Sequence, residues 1–99
     1  MQSVYAEAFE REMGCTESGW LMWLPAAIGS HLWHREGGSA TVDIAPGNLK
    51  LDWVTGEPRV IAMVRLPRLH VKFRFDGLDA DQRLAFMKRF DLYMQRGGG

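Results

Sequence analysis

Cysteine is nearly missing from this chain of 99 residues: Cys15 stands alone. An intrachain disulfide and a CxxC metal or redox pair are both excluded, and a reducing, cytoplasmic setting is the expectation. Net charge is missing as well, since 12 Lys and Arg offset 12 Asp and Glu. No overall field steers the chain toward nucleic acid or an acidic membrane, so any anion site must be local. Long apolar runs are lacking too. The longest uncharged stretch, Ser18 to His34, contains Pro25, several polar residues and two histidines, which is wrong in content for a membrane-spanning helix. Glu7, Glu10 and Glu12 with no basic start ahead of them do not read as a signal peptide. The GxSxG, GxxxxGKS/T, GxGxxG and HExxH patterns do not occur, which leaves catalysis without a recognisable motif.

What is present has the composition of a globular domain, 46% apolar and 24% charged. The length suits one domain over residues 1–99, burying roughly 60% or more of its unfolded surface around a single core. Tyr5, Phe9 and Met13 recur at i, i+4 and i+8 among helix formers, so residues 3–13 read as a helix, with a strand as the alternative. Gly14 ends that element. Thr16 can cap a second helix with Glu17 in its first turn, and Trp20, Trp23, Leu24 and Ala27 follow at helical spacing. Pro25 should kink or end it near Leu24, and Gly29 should stop any continuation.

Residues 35–39 read as a loop. "TVDIA" and "LKLDWV" then alternate around Pro46-Gly47, which fits positions i+1 and i+2 of a type II hairpin turn. "TGEP" at 55–58 is a second turn. Residues 60–64 are apolar on both faces, the pattern of a central strand covered on both sides. Beyond Pro67 the apolar phase moves from even to odd positions, which requires a tight turn or bulge at Leu66 to Arg68. Asp79 with Gln82 makes a capping-box start for an amphipathic helix carrying Phe86, Phe90 and Tyr93. The expected fold is α+β: a single antiparallel sheet of four strands, five if residues 3–13 are a strand, packed by two or three helices. With that strand the order βαββββα is similar to the repeat unit of TATA-binding-like folds in element order alone, which carries no function. The "RGGG" end resembles the Gly-Gly tails of ubiquitin-like and sulfur-carrier proteins. Those tails leave a strand of a β-grasp fold, whereas this one follows a helix and reads as a cap with a flexible tail over residues 95–99.

Two surfaces stand out. Segment 19–33 is apolar nearly all round, and Trp20, Met22, Trp23 and Trp33 are residue types that build interfaces and adaptable pockets. It points to a non-catalytic module that binds a protein partner, a second copy or an apolar ligand. The second surface is the row Arg68, His70, Lys72 and Arg74, alternating with Leu69, Val71, Phe73 and Phe75. Side chains about 6.5 to 7 Å apart on one strand face can hold a nucleotide, a nucleic acid or an acidic protein. The same letters also make the wet face of an ordinary strand, and Asp43 and Asp52 can neutralise them across strands. With no aromatic among the cations, nucleic acid is not the expected partner. A third reading, a small enzyme, draws on Cys15 beside a helix start or on His31 and His34 with Glu36. No metal-ligand spacing accompanies these histidines, so neither a metal nor a cofactor is expected, nor a membrane as partner.

Overall fold

Residues 4–96 are described in a computed structural model of the chain. Apolar-polar alternation puts much of that length into strands: β1 (Ala8–Met13), β2 (Trp33–Glu36), β3 (Ser39–Ile44), β4 (Gly47–Thr55), β5 (Arg59–Ile61), β6 (Val64–Leu66) and β7 (Leu69–Asp76). Helix α1 (Glu17–Ile28) lies between β1 and β2, and α2 (Ala80–Arg96) follows β7. Five strands form one antiparallel sheet in the order β1-β7-β4-β3-β2, while β5 and β6 pair only with each other. Both helices cover the same face, making an α+β fold.

The period-two pattern decides which face that is. Leu49, Leu51 and Trp53 of β4 and Leu69, Val71, Phe73 and Phe75 of β7 are buried, and the residues between them face solvent. Onto this face α1 lays Trp20, Leu24, Ala27 and Ile28, and α2 lays Phe86, Met87, Phe90 and Met94. The rings interlock: Trp20 tilts against Trp53 at 5.5 Å, and Phe90 meets Trp20 at 5.9 Å and Phe73 at 5.5 Å edge to face.

Both helix starts form as their residues require. Thr16 Oγ1 accepts the Gly19 N–H at 3.1 Å. Asp79 Oδ1 accepts the Gln82 N–H at 2.8 Å while Gln82 Oε1 accepts the Asp79 N–H at 2.9 Å, a complete capping box. Pro25 does not end α1, which continues to Ile28 and closes at Gly29, φ 78°, with the Gly29 N–H on the Pro25 carbonyl at 3.0 Å. Pro25 stands on the exposed side, where the one lost hydrogen bond costs least.

Five other expectations are corrected. The helix expected over 3–13 does not form in the described residues 4–13, which enter β1 at Ala8. Tyr5, Phe9 and Met13 satisfy both periods, and the open edge of β7 decides between them. Phe9 lies opposite Phe73 with the rings stacked at 4.7 Å, and Met13 opposite Leu69. The loop at 35–39 is narrower than expected, because Trp33–Glu36 and Ser39–Ile44 pair across a turn in which Gly37 takes φ 57°. At Pro46 the Ala45–Pro46 peptide is cis and Ile44 pairs with Gly47, so Pro46 holds position i+2 of a type VI turn. The flexible-tail reading of 95–99 fails at Gln95 and Arg96, which belong to α2, and Gly97 to Gly99 lie outside the described residues.

The fifth correction bears on function. Residues 60–64 are not a central strand. β4 and β7 pair directly from Asn48↔Asp76 to Thr55↔Leu69, leaving no lane between them. The chain instead leaves the sheet after Thr55, turns at Ala62 and Met63, and returns as a separate hairpin. An apolar pattern on both faces does not distinguish a strand covered twice from two short arms covered by nothing.

Candidate functional site

The uncovered sheet face carries the basic row. Arg68 Nη1 meets Glu12 Oε2 at 3.2 Å and its Nε donates to the Glu57 carbonyl at 2.8 Å. His70 Nε2 donates to Glu10 Oε1 at 2.6 Å. Lys72 stands in register between Glu10 and Asp52. Most of the opposing carboxylates come from β1, so reading residues 3–13 as a helix hid them; the alternation of Glu10 and Glu12 with Phe9, Arg11 and Met13 was the available signal. Asp43 lies opposite Asn48, away from the row. Arg74 differs from its neighbours, with Ala8 on one side and Lys50 on the other. Beside the row, Ser39, Asp52, Val54, His70 and Lys72 line a shallow concavity of about 330 Å³.

The Trp-rich segment divides among three environments. Trp20 is 1% exposed and belongs to the core, whereas Met22 is 75% exposed. Trp23 and Trp33 are half-buried against the core edge. The helical period sends consecutive apolar residues to different sides, and the sheet takes the Trp20 side. Of these four residues only Met22 offers a fully open contact.

Cys15 is half-buried beside the start of α1, and burial pushes its thiol above the ordinary 9.0. The neutral thiol is favoured, opposite to what a nucleophile needs. His31 packs its ring 5.6 Å from Phe86, and His34 sits on the open face opposite Thr41. Among the described residues no group of three or more His, Cys, Asp or Glu is placed to hold a metal ion, and no helix is long and apolar enough to cross a membrane.

A polar cluster on the helix side is structural. Asp91 of α2 accepts from Arg11 Nη1 at 2.6 Å, from Arg11 Nη2 at 3.1 Å and from the Tyr5 hydroxyl. The Arg11 guanidinium also lies 5.3 to 5.7 Å from the ring centroids of Tyr5, Phe9 and Phe73. Arg83 Nε donates to the Tyr5 carbonyl at 2.8 Å. These contacts fasten the segment before β1, and β1 itself, to α2.

The β5–β6 hairpin is the feature the sequence reading missed. Val60, Ile61, Met63, Val64 and Leu66 are between 42 and 98% exposed, Met63 at the tip being the most open. The pairs are Arg59↔Leu66, Val60↔Arg65 and Ile61↔Val64, so Ile61, Val64 and Leu66 share one face with Arg59, and Val60 shares the other with Arg65. Ala62 takes φ 53° at the turn, a conformation L side chains adopt at a cost and glycine adopts freely. The signal was in the letters: Pro58 and Pro67 bracket the segment, and Arg59 and Arg65 stand three residues to either side of Ala62.

Compared with known proteins, the chain matches no family model, no curated protein and no solved structure.

Proposed function

We propose that the chain is a non-catalytic protein-interaction module whose contact element is the β5–β6 hairpin rather than the Trp-rich helix. The observation that carries this reading is the arm itself: five large apolar side chains held out from the core on a two-stranded ribbon. A lone hairpin is marginal in water, and each exposed apolar side chain has about 1.5 to 3 kcal/mol to gain from burial. An aromatic-free, Met-tipped arm at a positive-φ alanine spends stability that an Asn-Gly turn with polar strands would save, and contact with a partner recovers it. Met22 is the one large apolar side chain of α1 among the exposed ones, and a single such residue needs no partner.

The test places a photo-cross-linking residue at position 63 of the full chain in its own cells, with position 88 on the exposed side of α2 as control. A discrete protein adduct at 63 that is absent at 88, lost in Val64→Asp and retained in Met22→Glu, is expected. Equal or no cross-linking at the two positions would refute the reading.

A second reading, an anion-binding surface, is favoured by one specific observation: Arg74 faces Lys50 with no carboxylate in register beside either pair member on β1 or β3, where Ala8 and Thr41 stand. Like charges set directly opposite repel, and an anion bridging them relieves it. Single-stranded RNA should then bind at low salt with a log-log salt slope of roughly −1.5 for about two phosphates, and Arg74→Glu should abolish it. No binding at low salt removes this alternative.

A further inference from the structure

We infer that the outer edge of β6 takes up an extended, acidic segment of a protein partner as an added strand; this rests on the hairpin being the contact element. β6 pairs with β5 on one side alone, so alternate main-chain N–H and C=O groups on its other side face outward, the arrangement that β-strand addition uses. A third strand also turns a marginal ribbon into a sheet with apolar contact on one face.

Charge selects the occupant. From Pro58 to Pro67 the only ionisable groups are Arg59 and Arg65, and among the described residues neither has a carboxylate within ion-pair distance. Along the β6 edge the residues read Val64, Arg65, Leu66, with Val64 and Leu66 on one face and Arg65 on the other. A strand laid beside them meets its best neighbours when it reads apolar, acidic, apolar, placing a carboxylate opposite Arg65. A second copy of this chain pairing through β6 about a two-fold axis at Arg65 would set arginine against arginine, so charge disfavours self-association there.

The lane is open at the base. β1 occupies the edge of β7 only as far as Met13, opposite Leu69. At that end Glu12 and Met13 of β1, Arg59 of β5, and Leu66, Pro67 and Arg68 line a crevice of about 200 Å³. An incoming strand can run from that crevice along β6 toward the tip. A bilayer fits less well, because the outward main-chain groups of the arm would remain without partners in an apolar medium.

The experiment uses the full chain and three short synthetic peptides: alternating valine and glutamate, alternating valine and lysine, and the glutamate peptide with N-methylated main-chain nitrogens. Fluorescence anisotropy reads binding and amide hydrogen exchange reads its place. The glutamate peptide should bind and slow exchange at residues 64–66, while the lysine and N-methylated peptides should not. Arg65→Glu should lower affinity for the glutamate peptide about tenfold and transfer the preference to the lysine peptide. Failure of the glutamate peptide to bind, or binding unaffected by Arg65→Glu or by N-methylation, overturns strand addition. So does binding of phosphatidylserine vesicles when neither peptide binds. If the position-63 adduct persists through such a failure, only this inference falls; if the adduct is missing too, the hairpin reading falls with it.

Discussion

Replacing Asp91 with asparagine tests the clamp that holds β1 to α2. Asp91 neutralises Arg11 through two hydrogen bonds, at 2.6 and 3.1 Å, and accepts a third from Tyr5. The side chains of Arg11 and Asp91 are 23% and 21% exposed, and the guanidinium lies against three rings. Asparagine keeps one acceptor, loses the charge and turns an N–H group toward the cation or the hydroxyl. Breaking a fully buried pair costs about 3–5 kcal/mol and an exposed one about 0–1. A pair mostly shielded from water falls between, at about 2–3 kcal/mol. For a domain of this size that lowers the melting temperature by roughly 10–20 °C and the urea midpoint by about 1–2 M. The double variant Arg11→Met with Asp91→Leu removes both charges, so its loss should be smaller than the sum of the single losses by at least about 1 kcal/mol. Urea unfolding followed by Trp fluorescence measures Asp91→Asn and the four members of the cycle. An Asp91→Asn midpoint indistinguishable from wild type, or strict additivity in the cycle, would refute the clamp.

Three further outcomes follow from neighbouring contacts. Burial, and then the hydrogen bond and charge of Asp91, raise the Tyr5 phenol above its ordinary 10.0 against the opposing pull of Arg11. The folded pKa is the higher one, so this contribution is complete below pH 10.0 and is lost as pH rises through the folded value; unfolding free energy above that pH should fall more steeply in wild type than in Tyr5→Phe, and parallel curves would contradict it. Trp53 Nε1 donates to Glu17 Oε2 at 2.9 Å in the first turn of α1, so Glu17→Ala should cost about 1–3 kcal/mol in chemical denaturation and Glu17→Gln much less; equal losses would show that the indole does not need the acceptor. A Cβ at Gly47 would run into the Asp76 carbonyl, so Gly47→Ala should cost at least about 2 kcal/mol, and a melting temperature within a degree or two of wild type would show that the β4–β7 end yields easily.

Periods and caps were legible where a segment's own residues settle its state. The Thr16 and Asp79 caps depend on a side chain and an N–H three residues away, and both formed. The alternations over 39–44, 47–55 and 69–76 each put apolar residues on one face, and all three became strands. Two segments escaped because their letters fit two states. Tyr5, Phe9 and Met13 serve a helix or a strand, and the vacant edge of β7 chose the strand. Residues 59–66 fit a buried strand or an exposed hairpin, and the direct pairing of β4 with β7 chose the hairpin. The candidate site moved for the same reason: Trp20 looked available as a letter and became core once the sheet supplied Trp53 beneath it.

By itself the sequence determined the class of fold, the starts of both helices and the inward face of the main strands, because hydrogen-bond caps and the periods 2 and 3.6 act over a few residues. Only the tertiary structure decided which apolar residues stay in water. That depends on which lanes of the sheet are already taken, a property of strands far apart in the chain. Arg59 and Arg65 stand in the open beside Ile61, Met63 and Val64 because β4 and β7 closed on each other and left the residues between them no place inside.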